Sequence, residues 1–524
     1  MKALPASSLF GVFFGFLQFA SVNHWFINRV NGSGPTALFY PKQDSYLYLI
    51  QLNHYLQGGK FTSNPLSEES ELFGVGNSLI YPIFGYVGNL FGFSLEVLFV
   101  LIVLLTSITT YYLIKRIIGQ LIGVNDWRSP LTSFFICITF IGDEFLRPSP
   151  TQWVLPFAMA LVLQFLRNRQ DSFARLLIIL SFSVLVIALN PYYSLFMIIC
   201  CLIPLVGLLR YKKLSWSLLT VVAFVAGDFI SNKVRLSDRS DSIDRWGFLF
   251  THLPGSMELT VLLLICIFLN QGLKRHFNEK PFDFRTWDYV FLALLFSLQQ
   301  NVITGIWWEP ESHLKTISYL LIGIYLLSLL HLTGPKKVVV LGLIALSVLN
   351  LVTFSKTLPP RETMNEKAKS ASVQVSYLKT ISQDLKRGDK NSIPLHWYQN
   401  DSYQIFLLLS NQSYFWVNEM PYFSFSNEFL FQRFACMNLI LRESGFDEID
   451  KIVLEVHGVS NKIQFYSKWN QFYSKLGLNS LVYNFGPIDE FRQQVRKAES
   501  ELDLVKCRIE YQRYSKTILA NSGI

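Results

Sequence analysis

With 524 residues, 51% of them hydrophobic, 16% charged and a formal charge of +9, the chain falls outside the soluble classes, since soluble domains carry about 25% charged residues. Its mean hydropathy of +0.31 says the same. The basic excess lies in short loops between apolar runs, with no basic stripe on a soluble helix and no zinc-finger spacing, so nucleic acid is not an expected partner.

A helix crosses the hydrocarbon core with about 20 apolar residues. The apolar runs predict about eleven spans, at 9–28, 94–114, 130–142, 151–166, 174–189, 192–209, 214–230, 256–271, 287–305, 314–332 and 337–354. The run 130–142 is short and crosses only by borrowing flanking residues; sheltered burial inside the bundle is the alternative. Alternate gaps are basic: Lys115, Arg116 and Arg128; Arg167, Arg169 and Arg175; Arg210, Lys212 and Lys213; Lys274, Arg275, Lys280 and Arg285; Lys336 and Lys337. Lysine and arginine beside span ends resist translocation, so these gaps are expected in the cytoplasm. The other gaps carry Asp44, Asp143, Glu144, Arg147, Asn190, Asp228, Asn301, Glu309 and His313, and share the outer face.

The expected architecture is an α-helical polytopic membrane protein. Residues 1–355 form its bundle and 356–524 a small extracytoplasmic α/β domain. The first run, with Lys2 before it and Asn23-His24 after it, reads as an uncleaved signal anchor, because no small-x-small cleavage site follows. The first outer loop, 29–93, opens with the turn-rich Asn31-Gly32-Ser33-Gly34-Pro35 and continues into an amphipathic helix over 44–55, with Asp44 near its start. Lys60 follows that helix. The apolar stretch 72–92 carries Gly74, Gly76, Gly85 and Gly88 together with Pro82, poor for a spanning helix and better for an interfacial or re-entrant one.

The tail changes character after Pro359-Pro360: 361–387 and 425–443 look helical, 451–456 looks like a strand, and 488–513 looks like one charged helix. Of six cysteines, Cys137, Cys200, Cys201 and Cys266 lie in apolar spans. There cysteine is usually a small hydrophobe. Cys436 and Cys507 lie in the tail, where an extracytoplasmic setting would let them pair. Spacing alone does not argue for a bond, and free thiols are the default expectation.

Three polar constellations can carry chemistry. Asp44 is a helix cap, a functional carboxylate at the mouth of the bundle, or both. Asp143-Glu144-Phe145-Leu146-Arg147-Pro148 puts two carboxylates and a guanidinium in one hairpin. The bland reading is an internal ion pair of little energetic weight; the functional one is Arg147 gripping a phosphate or carboxylate with its planar fork. The stretch from Gln300 to His313 contains Asn301, Thr304, Trp307, Trp308, Glu309 and His313. Its tryptophans suit an interfacial belt, while His313 can hold a phosphate or a metal. No phosphate-binding loop, nucleophile elbow or zinc helix of the soluble enzymes occurs, so no nucleotide cofactor is indicated.

A long first outer loop with an acid soon after span one, an Asp-Glu/Arg-Pro second loop and a late Asn-x-x-Thr-Gly…His hairpin resemble integral-membrane glycosyltransferases of the GT-C class over residues 1–354. The resemblance implies transfer of a sugar from a polyprenyl-phosphate donor to an acceptor outside the cytoplasm, in a plasma membrane of bacterial inner-membrane type. It makes Asp44 the catalytic base or a metal ligand, and leaves a divalent cation as an open cofactor. Arg147, His313 and Lys60 become donor-phosphate ligands, and Asp143, Glu144, Asn301 and Glu309 supporting groups or metal candidates. The chain departs from the commonest pattern, which has two acids together in the first loop: Ser45 follows Asp44, and the next acids are Glu68, Glu69 and Glu71. Either Asp143 or Glu144 supplies the second acid, or the chain is an inactive scaffold. A transporter or flippase for a lipid-linked or polar solute is the rival from another class, set back by the absence of half-to-half symmetry.

Overall fold

The computed structural model describes residues 6–25, 27–28, 37–38, 44–59, 79–122, 128–141, 149–167, 249–250, 257–276, 284–300, 306–307, 310–333, 427–443 and 488–521, with isolated positions at 186, 189, 254, 302 and 342. Its helices are α1 (Ala6–Trp25), α2 (Asp44–Leu56), α3 (Ile80–Leu90), α4 (Leu95–Ile122), α5 (Arg128–Ile136), α6 (Pro150–Arg167), α7 (Met257–His276), α8 (Phe284–Leu298), α9 (Pro310–Thr333), α10 (Asn427–Glu443), α11 (Ile488–Glu501) and α12 (Leu504–Asn521). Two antiparallel pairs of two-residue strands join them: β1 (Ile27–Asn28) with β2 (Ala37–Leu38), and β3 (Leu249–Phe250) with β4 (Ile306–Trp307).

Three segments among the described residues are long and apolar enough to cross a membrane: Leu95–Leu121, Met257–Lys274 and Leu314–His331. Shorter apolar segments are Leu9–Ala20, Arg128–Ile141 and Trp287–Leu298. Expected spans 192–209 and 214–230, and all but isolated positions of 174–189 and 337–354, lie outside the described residues.

The centre of the bundle is α4. Its buried positions recur every three or four residues, from Phe99 through Ile102, Val103, Tyr111, Ile114 and Ile118 to Leu121, the spacing of one helical face. Two hydroxyls on these apolar helices are satisfied locally: Thr106 donates to the Ile102 carbonyl at 2.7 Å and Ser297 to that of Ala293 at 2.7 Å. Along one side α1 packs antiparallel to α4 through Gly11 and Gly15; a Cβ there would meet the Tyr111 ring at 2.7 Å and Ile108 at 2.8 Å. Small residues allow such close approach where lipid gives helices no hydrophobic drive to associate. The opposite face of α1, with Leu9, Val12, Phe13 and Phe16, is exposed.

The short run 128–142 forms α5 and a π-helical turn, Cys137–Ile141. All of α5 except Leu131 is buried, which is the sheltered arrangement. The stretch 72–92 yields an 11-residue helix, α3, about 16 Å long and too short to span.

In the tail, the described residues form helices only; the 361–387 segment and the 451–456 strand of the expected α/β domain lie outside them. The predicted single helix over 488–513 is two. It breaks at Leu502-Asp503, where the Asp503 carboxylate accepts the Val505 amide at 3.0 Å and caps α12. Phe431 and Phe434 of α10 pack on Phe491 of α11, ring centroids 5.5 and 6.1 Å apart. Arg442 pairs with Glu499 at 2.9 Å and Arg508 pairs with Glu443. The free-thiol expectation is overturned for Cys436 and Cys507, which form a disulfide with Cα atoms 5.1 Å apart, inside the range a disulfide spans. Cys137 and Cys266 are free and buried.

Candidate functional site

Three elements separated in sequence meet at one end of the bundle. Tyr48, one turn after Asp44, stacks on Tyr81 of α3 at 5.9 Å; Tyr81 in turn lies 5.8 Å from Trp153, in the first turn of α6. Phe84 and Phe99 complete the cluster around Trp153, at 5.9 and 6.1 Å. The starts of α2, α4 and α6 therefore share an end. Asp44 opens α2.

The α2–α3 hairpin is held by close backbone approach. A Cβ on Gly85 would meet Tyr55, with the Leu56 amide at 3.0 Å; one on Gly88 would sit between Leu98 and Leu56, at 2.7 and 2.8 Å. Gly58, at φ +80°, turns the chain out of α2, and the Tyr86 hydroxyl donates to the Gly59 carbonyl at 2.8 Å. Burial first, and the neighbouring Tyr86 second, push the Tyr55 hydroxyl up to about 12. It therefore stays protonated and neutral across the physiological range. The His54 ring lies against Gly59, the residue before Lys60.

At the opposite end, Ser129 of α5 donates to the Lys115 carbonyl at 3.1 Å, Thr132 and His331 Nε2 share a hydrogen bond of 2.6 Å, and Arg128 donates to the His331 carbonyl at 3.5 Å. This fixes α9. Its last turn lies at this end, and 24 residues at 1.5 Å each carry its first turn about 36 Å away, to the Asp44 end. His313 is in that first turn. A Cβ on Gly323, in the middle of α9, would meet the Phe140 ring. The α5–π turn segment thus climbs antiparallel to α9 toward the Asp44 end, where α6 begins. Residues 142–148 join those two termini.

Of the sequence candidates, Asp44 and His313 have described backbones, in the first turns of α2 and α9; their side chains lie outside the described residues. Lys60, Asp143, Glu144, Arg147, Asn301 and Glu309 also lie outside them. The flanking elements of 60, 143–147 and 301–309 are described, and those of the last two come to the Asp44 end. Among the described residues no three His, Cys, Asp or Glu side chains stand together as a metal site.

Two features escape a sequence reading. Trp153 is fully buried and its Nε1 has no hydrogen-bond partner among the described residues, whereas a buried indole N–H normally finds an acceptor. It sits in the first turn of α6, just after the Arg147 loop. The second feature is a buried polar knot near the opposite end. The Asp288 carboxylate of α8 accepts from the side-chain amides of Asn270 and Gln271 at 2.6 Å each, and the Tyr325 hydroxyl donates to Asn270 Oδ1 at 3.0 Å. Trp287, Phe291 and Tyr325 surround it with ring centroids 4.9 to 5.4 Å apart. The signal for it was present as Asn270-Gln271 closing one apolar run and Asp288 opening the next.

Neither a protein-family model nor any curated protein matches this chain. The functional reading rests on the residues and their geometry.

Proposed function

We propose that the Asp44 end is the active site of an inverting membrane glycosyltransferase that takes a sugar from a polyprenyl-phosphate donor. The observation that carries this is the Tyr48–Tyr81–Trp153 contact chain, which gathers the first turns of α2 and α6. Asp44 is thereby at the same end as the element that follows the Arg147 loop. In this mechanism the Asp44 carboxylate accepts the proton of the acceptor hydroxyl as that oxygen attacks the anomeric carbon. The bond from that carbon to the phosphate oxygen breaks on the opposite face, and polyprenyl phosphate leaves. Arg147, with His313 and Lys60, stabilises the charge that develops on it. Asp143 or Glu144 is the second acid or a metal ligand, and Asn301 and Glu309 orient the sugar. The Trp153 N–H, without an acceptor among the described residues, supplies a donor for a polar ligand at this end. Alternating basic gaps put this end, and the tail, outside the cytoplasm.

The rival transporter reading draws on a single observation, the carboxylate of Asp288 buried between three helices, because ionisable groups inside membrane segments often mark solute paths. An amide donor already engages each of its two oxygens, which suits an interhelical brace better. The deciding experiment is transfer from a radiolabelled polyprenyl-phosphate sugar by the purified protein. Asp44→Asn should fold and express normally yet lose roughly 100-fold or more in turnover, the scale of general-base loss. Near-normal turnover in that variant would reduce Asp44 to a helix cap. Solute movement without any sugar-transfer product would favour the transporter.

A further inference from the structure

We infer that the Cys436–Cys507 disulfide is the latch that docks α12 in the tail, and that it is made by a thiol–disulfide oxidoreductase outside the cytoplasm. The packing of α12 carries the first half. Over 504–512, Cys507 is the only buried residue, while Val505 and Ile509 are 59% and 58% exposed. α10 and α11, by contrast, share an aromatic core of Phe431, Phe434 and Phe491, with Leu430, Met437 and Val495 also buried. Besides the disulfide, α12 has the half-buried Leu504 and Tyr511 against the core and the Arg508–Glu443 ion pair, whose side chains are 53% and 39% exposed. Exposed pairs of that kind contribute little. Removing the covalent bond therefore takes away the one fully buried attachment over that stretch of α12, and leaves only the half-buried Leu504 and Tyr511 and an exposed ion pair.

The chemistry carries the second half. Both sulfurs are fully buried in the docked state, so the bond must close as α12 docks. Each thiol gives up a proton and an electron; the sulfur–sulfur bond forms, and the disulfide of the oxidoreductase takes the two electrons and two protons to become a dithiol. Cytoplasmic thiol pools run this exchange in reverse, whereas extracytoplasmic compartments sustain it. The inference does not depend on glycosyl transfer, and its readouts involve no activity.

The test uses the full-length protein in its membrane. Cells are quenched in acid, denatured, and labelled with a maleimide carrying a polyethylene glycol chain, with or without prior reduction. Reduction should add two labels to the wild type and none to Cys436→Ser. No added label in the wild type, or the same gain in Cys436→Ser, would overturn the pairing. Limited trypsin digestion of folded membranes then tests the latch: reduction, or Cys436→Ser with Cys507→Ser, should raise cleavage at Lys506 and Arg508 about tenfold or more, because helix cleavage tracks local opening. Unchanged cleavage would sink the latch even with the pair formed. Dithiothreitol added during synthesis should leave both thiols free; persistence of the bond would remove the need for an oxidoreductase.

Discussion

Trp153 is where residue-level chemistry tests the proposed site most directly. Its indole N–H is buried without an acceptor among the described residues, and a buried donor left unpaired costs about 1–3 kcal/mol unless a ligand relieves it. Phenylalanine keeps the ring contacts with Tyr81, Phe84 and Phe99 and removes the donor. Trp153→Phe should therefore leave the membrane fold intact or slightly firmer while raising the apparent KM for the lipid-linked donor several-fold. A KM unchanged against the wild type, measured at matched expression, would mean that the N–H meets no ligand. Asp44 was legible from sequence because a lone carboxylate opening an amphipathic segment is a local signal, and α2 does begin there. Thr132 with His331 was not legible: the partners are 199 residues apart, and nothing in either neighbourhood names the other.

At the scale of elements, glycine placement explains how an uncharged stretch becomes a defined hairpin. No charged residue occurs between Glu71 and Glu96, so polarity cannot fix how α3 lies on α2. Backbone proximity does it instead, with Gly85 against Tyr55 and Leu56 and Gly88 between Leu56 and Leu98. A larger side chain meets backbone at Gly85 and cannot be absorbed by a rotamer change. Gly85→Val should destabilise the hairpin by about 1–3 kcal/mol, the usual cost of overpacking. In the proposed enzyme it should lower activity by displacing Asp44, without touching any candidate ligand. Retained thermal stability of the detergent-solubilised protein, with full activity, would show that the contact is dispensable. The existence of α4, α7 and α9 followed from apolar runs of spanning length and that of α2 from an amphipathic segment, each a property of one segment alone. The π turn after α5 and the break at Asp503 did not, since both depend on which hydrogen bonds the neighbours leave available.

At the scale of the molecule, the described helices sort polar groups onto two ends, and charge decides which end faces where. Lys115, Arg128 and the last turn of α9 share one end, as the contacts of Ser129, Thr132 and Arg128 establish; Asp44 and the start of α6 share the other. In the proposed topology the positive-inside bias would put the first end in the cytoplasm, and the eleven crossings expected from sequence would leave the tail outside with Asp44. A buried disulfide in the tail is what that compartment permits. The prediction is concrete. A reporter that fluoresces only in the cytoplasm, fused after Ile524, should stay dark, and one that folds only outside should be active at the same position. A bright cytoplasmic fusion would invert the bundle. It would put the Asp44 end on the inner face, where a sugar donor need not be lipid-borne, and the glycosyltransfer proposal would lose the argument that links its acidic loops to an extracytoplasmic substrate.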